Sequence, residues 1–565
     1  MPAIYTNDCS RMLLDIRPDQ LQMVLAILQK HVAQYEVWAF GSRAKWTAKD
    51  YSDLDLCVVS NKPLSFSILG VLAEDFSDSD LPWKVDVVDW ATTSESFRKI
   101  IKRDKVVVQT GSVAIEWKET VLGEFIKTGD AHLQTGPFGT ALKAAEYSAE
   151  GVPLISVGEV RQGYFEVSDK TPRISEETTK RLPQFILETG DIVFGRKGGI
   201  DRNAIIQPQQ RGWFLGSDGI RLRLSKKYNS LFFSYQMRSP STRAWLLQHC
   251  EGTTMPSLNQ QILGRVPIVL PPLSEQKAIA HILGTLDDKI ELNRRMNETL
   301  EAIAQALFKS WFVDFEPVRA KMSGEPSASI CQRLGLTPEL LALFPERLVD
   351  SELGDGSTSL TTGIPEGWKV GKFGDVAEHP RRGIQPNQIA ETTPYIALEH
   401  MPRHSISLSV WDVADNLESN KFCFRKGEIL FGKLRPYFHK VGVAPVGGVC
   451  STDIVVVAPK TDEWLGFVLG HISSDAFVEH TNAGSTGTKM PRTNWNDMAR
   501  YSLVIPPSLL SKEFTRLVHP MVDQIIASNH EARGLASIRD TLLPKLLSGE
   551  LPVPNIRPCN EEATA

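Results

Sequence analysis

The stretch "FGSRAKWTAKDYSDLDL", residues 40–56, holds a Gly-Ser pair, then ten intervening residues, then Asp53 and a second carboxylate at Asp55. Asp53 and Asp55 are two apart on a predicted strand, so both carboxylates point to one face while Leu54 and Leu56 point to the other. Further on, "KVDVVDW" supplies Asp86 on another predicted strand. Three carboxylates converging from neighbouring strands are hard oxygen ligands for Mg²⁺, which completes its shell with waters and substrate phosphates. Gly41 allows close backbone approach, and Ser42 stands where a short helix is expected to begin, so amide hydrogens there could hold a triphosphate.

The elements that must position these groups are a helix-like stretch, "PDQLQMVLAILQKHV", the strand "EVWAF", the Gly41-Ser42 turn and the strand "SDLDLCVVS". Asp-x-Asp alone is a common pair, and it gains meaning from the preceding Gly-Ser and the later strand Asp. Together, from roughly Tyr35 to Val108, they resemble the minimal nucleotidyltransferases of the polymerase-β-like superfamily. That resemblance implies Mg²⁺-dependent nucleotidyl transfer from a nucleoside triphosphate. Gly41 and Ser42 would carry phosphate, Asp53 and Asp55 would carry metals, and Asp86 would be the third carboxylate, ligating metal and available to help deprotonate the acceptor. One position departs from the family, which commonly has Gly where this chain has Trp46. An indole there either reshapes the phosphate loop or faces solvent.

These residues occupy only 1–113 of a 565-residue chain, long enough for three or four cores. The amino end lacks the basic and apolar regions of a secretory signal, and no apolar run approaches the ~20 residues of a membrane helix, so a cytoplasmic protein without membrane contact is expected. Seven widely spaced cysteines form no CxxC pair and read as buried free thiols. A net charge of −5 excludes a chain coated in positive charge and leaves room for a local basic face.

The remaining residues repeat. "EWKETVLGEF" (116–125) matches "GWKVGKFGDV" (367–376), "VPLISV" (152–157) matches "TPYIAL" (393–398), and "TGDIVFGRKG" (189–198) matches "KGEILFGKLR" (426–435). "SDGIRL" (217–222) matches "STDIVV" (451–456), "TMPSLN" (254–259) matches "KMPRTN" (489–494), and "VPIVLPP" (266–272) matches "YSLVIPP" (501–507). Short, β-rich, glycine-punctuated runs predict a small α+β module, present twice with different loops.

Each copy ends in Pro-Pro and a long helical pattern. Ile279, Ile282, Leu283, Leu286, Ile290, Met296, Leu300, Ile303 and Leu307 keep three-four spacing, with Asn293 on the seam. From Ser274 to about Phe312 the helix would reach ~58 Å at 1.5 Å per residue. Leu517, Met521, Ile525, Asn529, Leu535, Ile538, Leu542 and Leu546 form a comparable seam, with Pro520, Gly534 and Pro544 expected to kink or end it. The fold expected is α+β and multidomain: a nucleotidyltransferase-like α/β domain (1–113), a first module (114–272), a helix (273–320), a linker (321–363), a second module (364–507), a second helix (508–551) and a tail (552–565). The two helices would pair as an antiparallel coiled coil.

From about residue 114 to 551 the order and duplication of these motifs resemble the specificity subunit of type I restriction–modification systems. The match includes "LGTLDDKIELNRRMNETLEAIAQALFKSWFVDFEPV" and the linker "LTPELLALFPERLVDSELG". The family has two target-recognition domains spaced by paired helices, performs no chemistry itself, and selects a split sequence in double-stranded DNA for methyltransferase and restriction subunits. S-adenosylmethionine and ATP are accordingly expected on those partners. Two half-sites about one helical turn, ~34 Å, apart suit a helical spacer. Candidate DNA contacts are Arg196, Lys197 and Arg202 in the first module and Lys433, Arg435 and Lys440 in the second. The chain has no GxxxxGK[ST] loop and no Pro-Pro-Tyr tetrapeptide of the amino-methyltransferase kind, and "GSTGTK" (484–489) reads as a glycine loop. The competing reading is an enzyme, a Mg²⁺-dependent nucleotidyltransferase acting on a nucleic-acid or protein partner, with the DNA-binding modules as its targeting device.

Overall fold

Pro18, with its φ preset for a first helical turn, starts α1 (Pro18–Val32), which buries Val24, Leu28 and Val32 along one stripe. The computed structural model describes residues 14–60, 63–110, 117–252, 255–350, 363–485 and 490–553. After α1 come β1 (Glu36–Phe40), β2 (Leu54–Val59), α2 (Phe66–Ser77), β3 (Val85–Asp89), α3 (Glu95–Asp104) and β4 (Val106–Gln109). They form a sheet of order β3-β2-β1-β4, with β2 parallel to β3 and β1 antiparallel to both of its neighbours. The period-two pattern divides the side chains between two faces. Val37, Ala39, Leu54, Leu56 and Val58 pack with α1 and α2. Trp38, Phe40 and Cys57 pack with Ile101 of α3.

The duplication holds strand by strand. In the first module an antiparallel sheet runs 203–205, 192–195, 219–224, 131–135; in the second the corresponding order is 441–443, 429–432, 454–459, 377–378. A parallel pair, Val152–Ile155 with Phe214–Leu215, recurs as Pro394–Ile396 with Gly448–Cys450. A terminal pair, Lys118–Val121 with Pro267–Leu270, recurs as Lys369–Lys372 with Ser502–Ile505.

The long helices are Leu273–Phe312 and Ser508–Leu547, each of 40 residues. The chain divides into two compact units, 1–281 with 543–565, and 282–542. Within the second unit the helices run antiparallel: Asp287 meets Arg539 at 2.7 Å, Asn293 meets Glu531 at 2.8 Å, and Asn297 meets Asn529 at 2.9 Å.

The seam differs from expectation in three ways. The second helix passes through Pro520, Gly534 and Pro544 without ending, and around Pro520 it is held by Phe514, Val518, Val522, Ile525 and Ile526, which are buried in the unit's core. Its apolar stripe runs through Val518 and Val522, one residue on from Leu517 and Met521, and Ile538 is 51% exposed. In the first helix Ile303 is 42% exposed, and the buried stripe is polar at Asn293, Asn297 and Glu301. Glu301 accepts from Ser405 Oγ at 2.8 Å and Ile406 N at 3.1 Å, whereas Asn293 and Asn297 are bonded only through their Nδ2 groups, to Glu531 and Asn529, and their buried Oδ1 atoms have no partner.

The stretch expected as a linker is partly helical. Ser327–Leu334 and Pro338–Ala342 place Ile330, Leu340, Leu341 and Phe344 against Trp311, Phe315 and Trp368. The first long helix ends at Phe312, and Phe315, at a left-handed φ of 52°, leads into the next helix, Glu316–Met322. Among the described residues Cys57, Cys250, Cys331, Cys423 and Cys450 are free, and of these only Cys57 and Cys450 are buried; Cys9 and Cys559 lie outside the described residues. Residues 486–489 of "GSTGTK" and Thr254 of "TMPSLN" also lie outside them. No described helix is long and apolar enough to cross a membrane.

Candidate functional site

Parallel pairing of β2 with β3 sets Asp55 directly beside Asp86, and Asp53 stands one residue ahead of β2 at the same end. Gly41, at φ 79°, lies so close that a Cβ there would sit 2.2 Å from Asp55 Oδ2. Only glycine combines that backbone conformation with that approach. Lys84 Nζ is 2.5 Å from Asp86 Oδ1. Among the described residues the three aspartates do not bring their ligand oxygens within 4.8 Å of one another. Mutual repulsion favours such spreading, and Lys84 supplies the positive charge at one edge.

No helix begins at Ser42. The segment is a turn in which the amides of Lys45 and Thr47 bond back to the carbonyls of Gly41 and Ser42. Arg43 braces it from beneath. Buried, it donates to the carbonyls of Ser52, Asp15 and Asp50 and lies 4.5 Å from the Trp83 ring. Lys45 adds an ion pair to Asp104 of α3 at 2.7 Å. Trp46 is 51% exposed with φ 59°, so it takes the solvent-facing alternative, and its left-handed backbone explains why glycine suits the position. Arg43 and Lys84 escaped sequence reasoning, although "GSR" and "KVD" place each beside a residue already singled out.

The Asp55 carboxyl is held above its ordinary range, first by burial and then by the negative Asp86 and Asp53. A raised folded-state value means that the protonated form stabilises the fold. That contribution is fully present below the unfolded value of 3.8 and is lost as pH rises through the raised folded value. Asp55→Asn should therefore raise the melting midpoint of the amino-terminal domain by a few degrees at neutral pH, and flatten its pH dependence, in metal-free calorimetry. An unchanged midpoint would contradict this account of the site.

The modules carry a second shared construction. In the first, Arg196 N donates to Asp218 O, Leu258 N to Arg196 O and Gly198 N to Pro256 O, at 2.8, 2.8 and 2.9 Å. In the second, Lys433 N donates to Asp453 O, Thr493 N to Lys433 O and Arg435 N to Pro491 O, at 2.9, 3.1 and 2.8 Å. Each basic loop is thus bolted to a Met-Pro segment, and Met255 and Met490 are 56% and 58% exposed. In the sequence both methionines stand out as repeat landmarks, and nothing local marks them as surface residues.

Of the candidate contacts, Lys197 and Arg202 are exposed, while Arg196, half-buried, lies 4.4 Å from the Phe138 ring. Lys433 and Arg435 are half-buried, the latter at a left-handed φ of 53°. Lys440 is turned inward: its ammonium donates to Leu398 O, and burial lowers its pKa. The structure therefore places it apart from the other five.

The topology is that of a four-stranded α/β domain with three aspartates at one end of its central strands, followed by two copies of one α+β module that each end in a 40-residue helix. The polymerase beta nucleotidyltransferase model matches residues 22–112, and the type I restriction modification DNA specificity domain model matches residues 95–302. A probable protein adenylyltransferase, MntA, of Haemophilus influenzae is 54% identical over 109 residues, 19% of this chain and 95% of that protein. The MjaIX type I restriction enzyme specificity subunit of Methanocaldococcus jannaschii is 24% identical over 462 residues, 78% of this chain and 97% of that protein. The crystal structure of a type I restriction-modification S subunit from M. genitalium covers 76% of this chain and 96% of its own, at 15% identity and a TM-score of 0.44. The amino-terminal domain belongs to the nucleotidyltransferases related to MntA, and the rest of the chain is homologous to type I restriction–modification specificity subunits, with their DNA specificity domain matched over residues 95–302.

Proposed function

We propose that the chain selects a two-part sequence in double-stranded DNA for the methyltransferase and restriction subunits of a cytoplasmic type I complex. The observation that carries this reading is the duplicated loop construction, which presents Arg196 with Met255 in one module and Lys433 with Met490 in the other. Basic side chains position a protein on phosphates, and exposed apolar side chains beside them suit contact with base edges or steps. Arg196, Lys197, Arg202, Lys433 and Arg435 are the proposed phosphate contacts. Replacing Arg196 and Lys433 by Ala should lower the slope of log affinity against log salt by about 0.9 for each phosphate that is no longer neutralised. Fluorescence anisotropy with a target duplex checks this, and an unaltered slope would remove both residues from the interface.

We further infer that the amino-terminal domain binds a nucleoside triphosphate with Mg²⁺. Asp53, Asp55 and Asp86 would hold the metal, and Gly41 and Ser42 would face the phosphates. Bound there, the ion would polarise the α-phosphate that the acceptor attacks and neutralise charge on the pyrophosphate that leaves. Gly41 keeps the turn against Asp55, Arg43 fixes its base, and Lys84 compensates the spare charge on Asp86. The extent of similarity to a protein adenylyltransferase supports ATP as the donor and a protein side chain as the acceptor.

A further inference from the structure

The second module gathers three side chains that neither proposed activity uses. His404, His439 and Asp475 each offer one ligand atom, and these atoms all lie within 4.8 Å of one another. His439 is buried, whereas His404 and Asp475 are exposed. The Nε2 of His439 is 2.9 Å from the carbonyl of Ser473, and since a carbonyl can only accept, Nε2 carries the hydrogen. In the neutral ring Nδ1 is then a bare lone pair, and it stands 3.2 Å from Asp475 Oδ1. Two acceptors facing each other at that distance call for a cation between them.

The first module shows what its counterpart lacks. Asp201 stands two residues before the strand Asn203–Ile205, as His439 stands two before Val441–Val443. There the same loop is tied to the helix Pro240–His249 by Arg243 on Asp201 at 2.7 Å, so the cation is a guanidinium. In the second module the tie runs from His439 to Asp475, the first residue of Asp475–Ala483, and both groups are acceptors toward each other. An imidazole whose other nitrogen donates to a backbone carbonyl is the usual arrangement of a metal-ligating histidine.

We propose that His404, His439 and Asp475 form a divalent transition-metal site, with Zn²⁺ as the ion whose ligand chemistry fits best. Two imidazoles and one carboxylate with a water in the fourth place are a known tetrahedral set, with metal–ligand distances of about 2.0–2.2 Å. The 3.2 Å from His439 Nδ1 to Asp475 Oδ1 already matches the ~3.3 Å edge of such a tetrahedron, and the His404 ligand atom lies within 4.8 Å of both. The ion would tie the segment 435–440 to its helix as Arg243 ties the corresponding loop of the first module.

The test uses the full chain, stripped with chelator and dialysed against Zn²⁺ in excess Mg²⁺, which occupies hard carboxylate groups elsewhere. The native chain should retain one equivalent more Zn²⁺ than His404→Ala or Asp475→Ala, both surface changes expected to fold normally. Co²⁺ in place of Zn²⁺ should give visible absorption bands of a tetrahedral site that either variant loses. Equal Zn²⁺ uptake and identical Co²⁺ spectra in all three proteins would overturn the proposal and leave a protonated His439 as the tie.

Discussion

Replacing Asp53 and Asp55 together by Ala is expected to reduce transfer of labelled nucleotide by about 1000-fold, corresponding to roughly 4 kcal/mol of barrier, while leaving DNA selection intact. The size follows from what the pair does: Asp55 stands beside Asp86 and against Gly41, so its loss removes the centre of the carboxylate set. Folding should survive, because Asp53 is exposed and Asp55 destabilises the metal-free fold when ionised. The measurement is incubation of the native chain and the variant with labelled ATP, Mg²⁺ and candidate partner proteins, read on a denaturing gel. Equal labelling by the two chains would place the chemistry elsewhere, and no labelling by the native chain would remove the enzymatic reading for those partners.

A seven-residue insertion in both long helices should change the gap between the half-sites without changing the half-sites themselves. Seven residues lengthen a helix by about 10.5 Å, the rise of roughly three base pairs. The insertions belong between Lys289 and Asn293 in the first helix and at the facing position between Glu531 and Arg539 in the second. There the antiparallel register is fixed by Asn293 on Glu531 and by Arg539 on Asp287. Adding the heptad to one helix only would slide Asn297 off Asn529 and leave buried amides unpaired, at a cost of about 1–3 kcal/mol each. That singly altered chain should lose DNA binding. A target gap that stays constant in the doubly altered chain would contradict the spacer reading.

The repeat and the carboxylate spacing were legible because each rests on local chemistry: glycine where backbone must approach, alternation where a strand has two faces, proline where a helix starts. The polar stripe Asn293-Asn297-Glu301 was less legible. A heptad pattern identifies a helix that packs, but Glu301 is buried by the loop Ser405–Ile406, more than a hundred residues away in sequence. The continuity of the second helix through Pro520 has the same origin, since Phe514 and Val518 are held by tertiary burial that local propensity does not encode. The helical structure of the linker was hidden by its length and prolines, although Leu340, Leu341 and Phe344 have the spacing of a buried turn. At the amino-terminal site, Lys84 and Arg43 were adjacent to named residues, but an ion pair and a brace depend on side-chain direction rather than residue type.

The most direct test of the proposed recognition role is to map methylated bases in a genome after co-expressing the full chain with a candidate type I methyltransferase subunit. The account predicts a split motif, two short defined sequences separated by a fixed number of unspecified base pairs, and the same motif for the Asp53→Ala, Asp55→Ala chain. A continuous motif, or one that changes with those two aspartates, would contradict it.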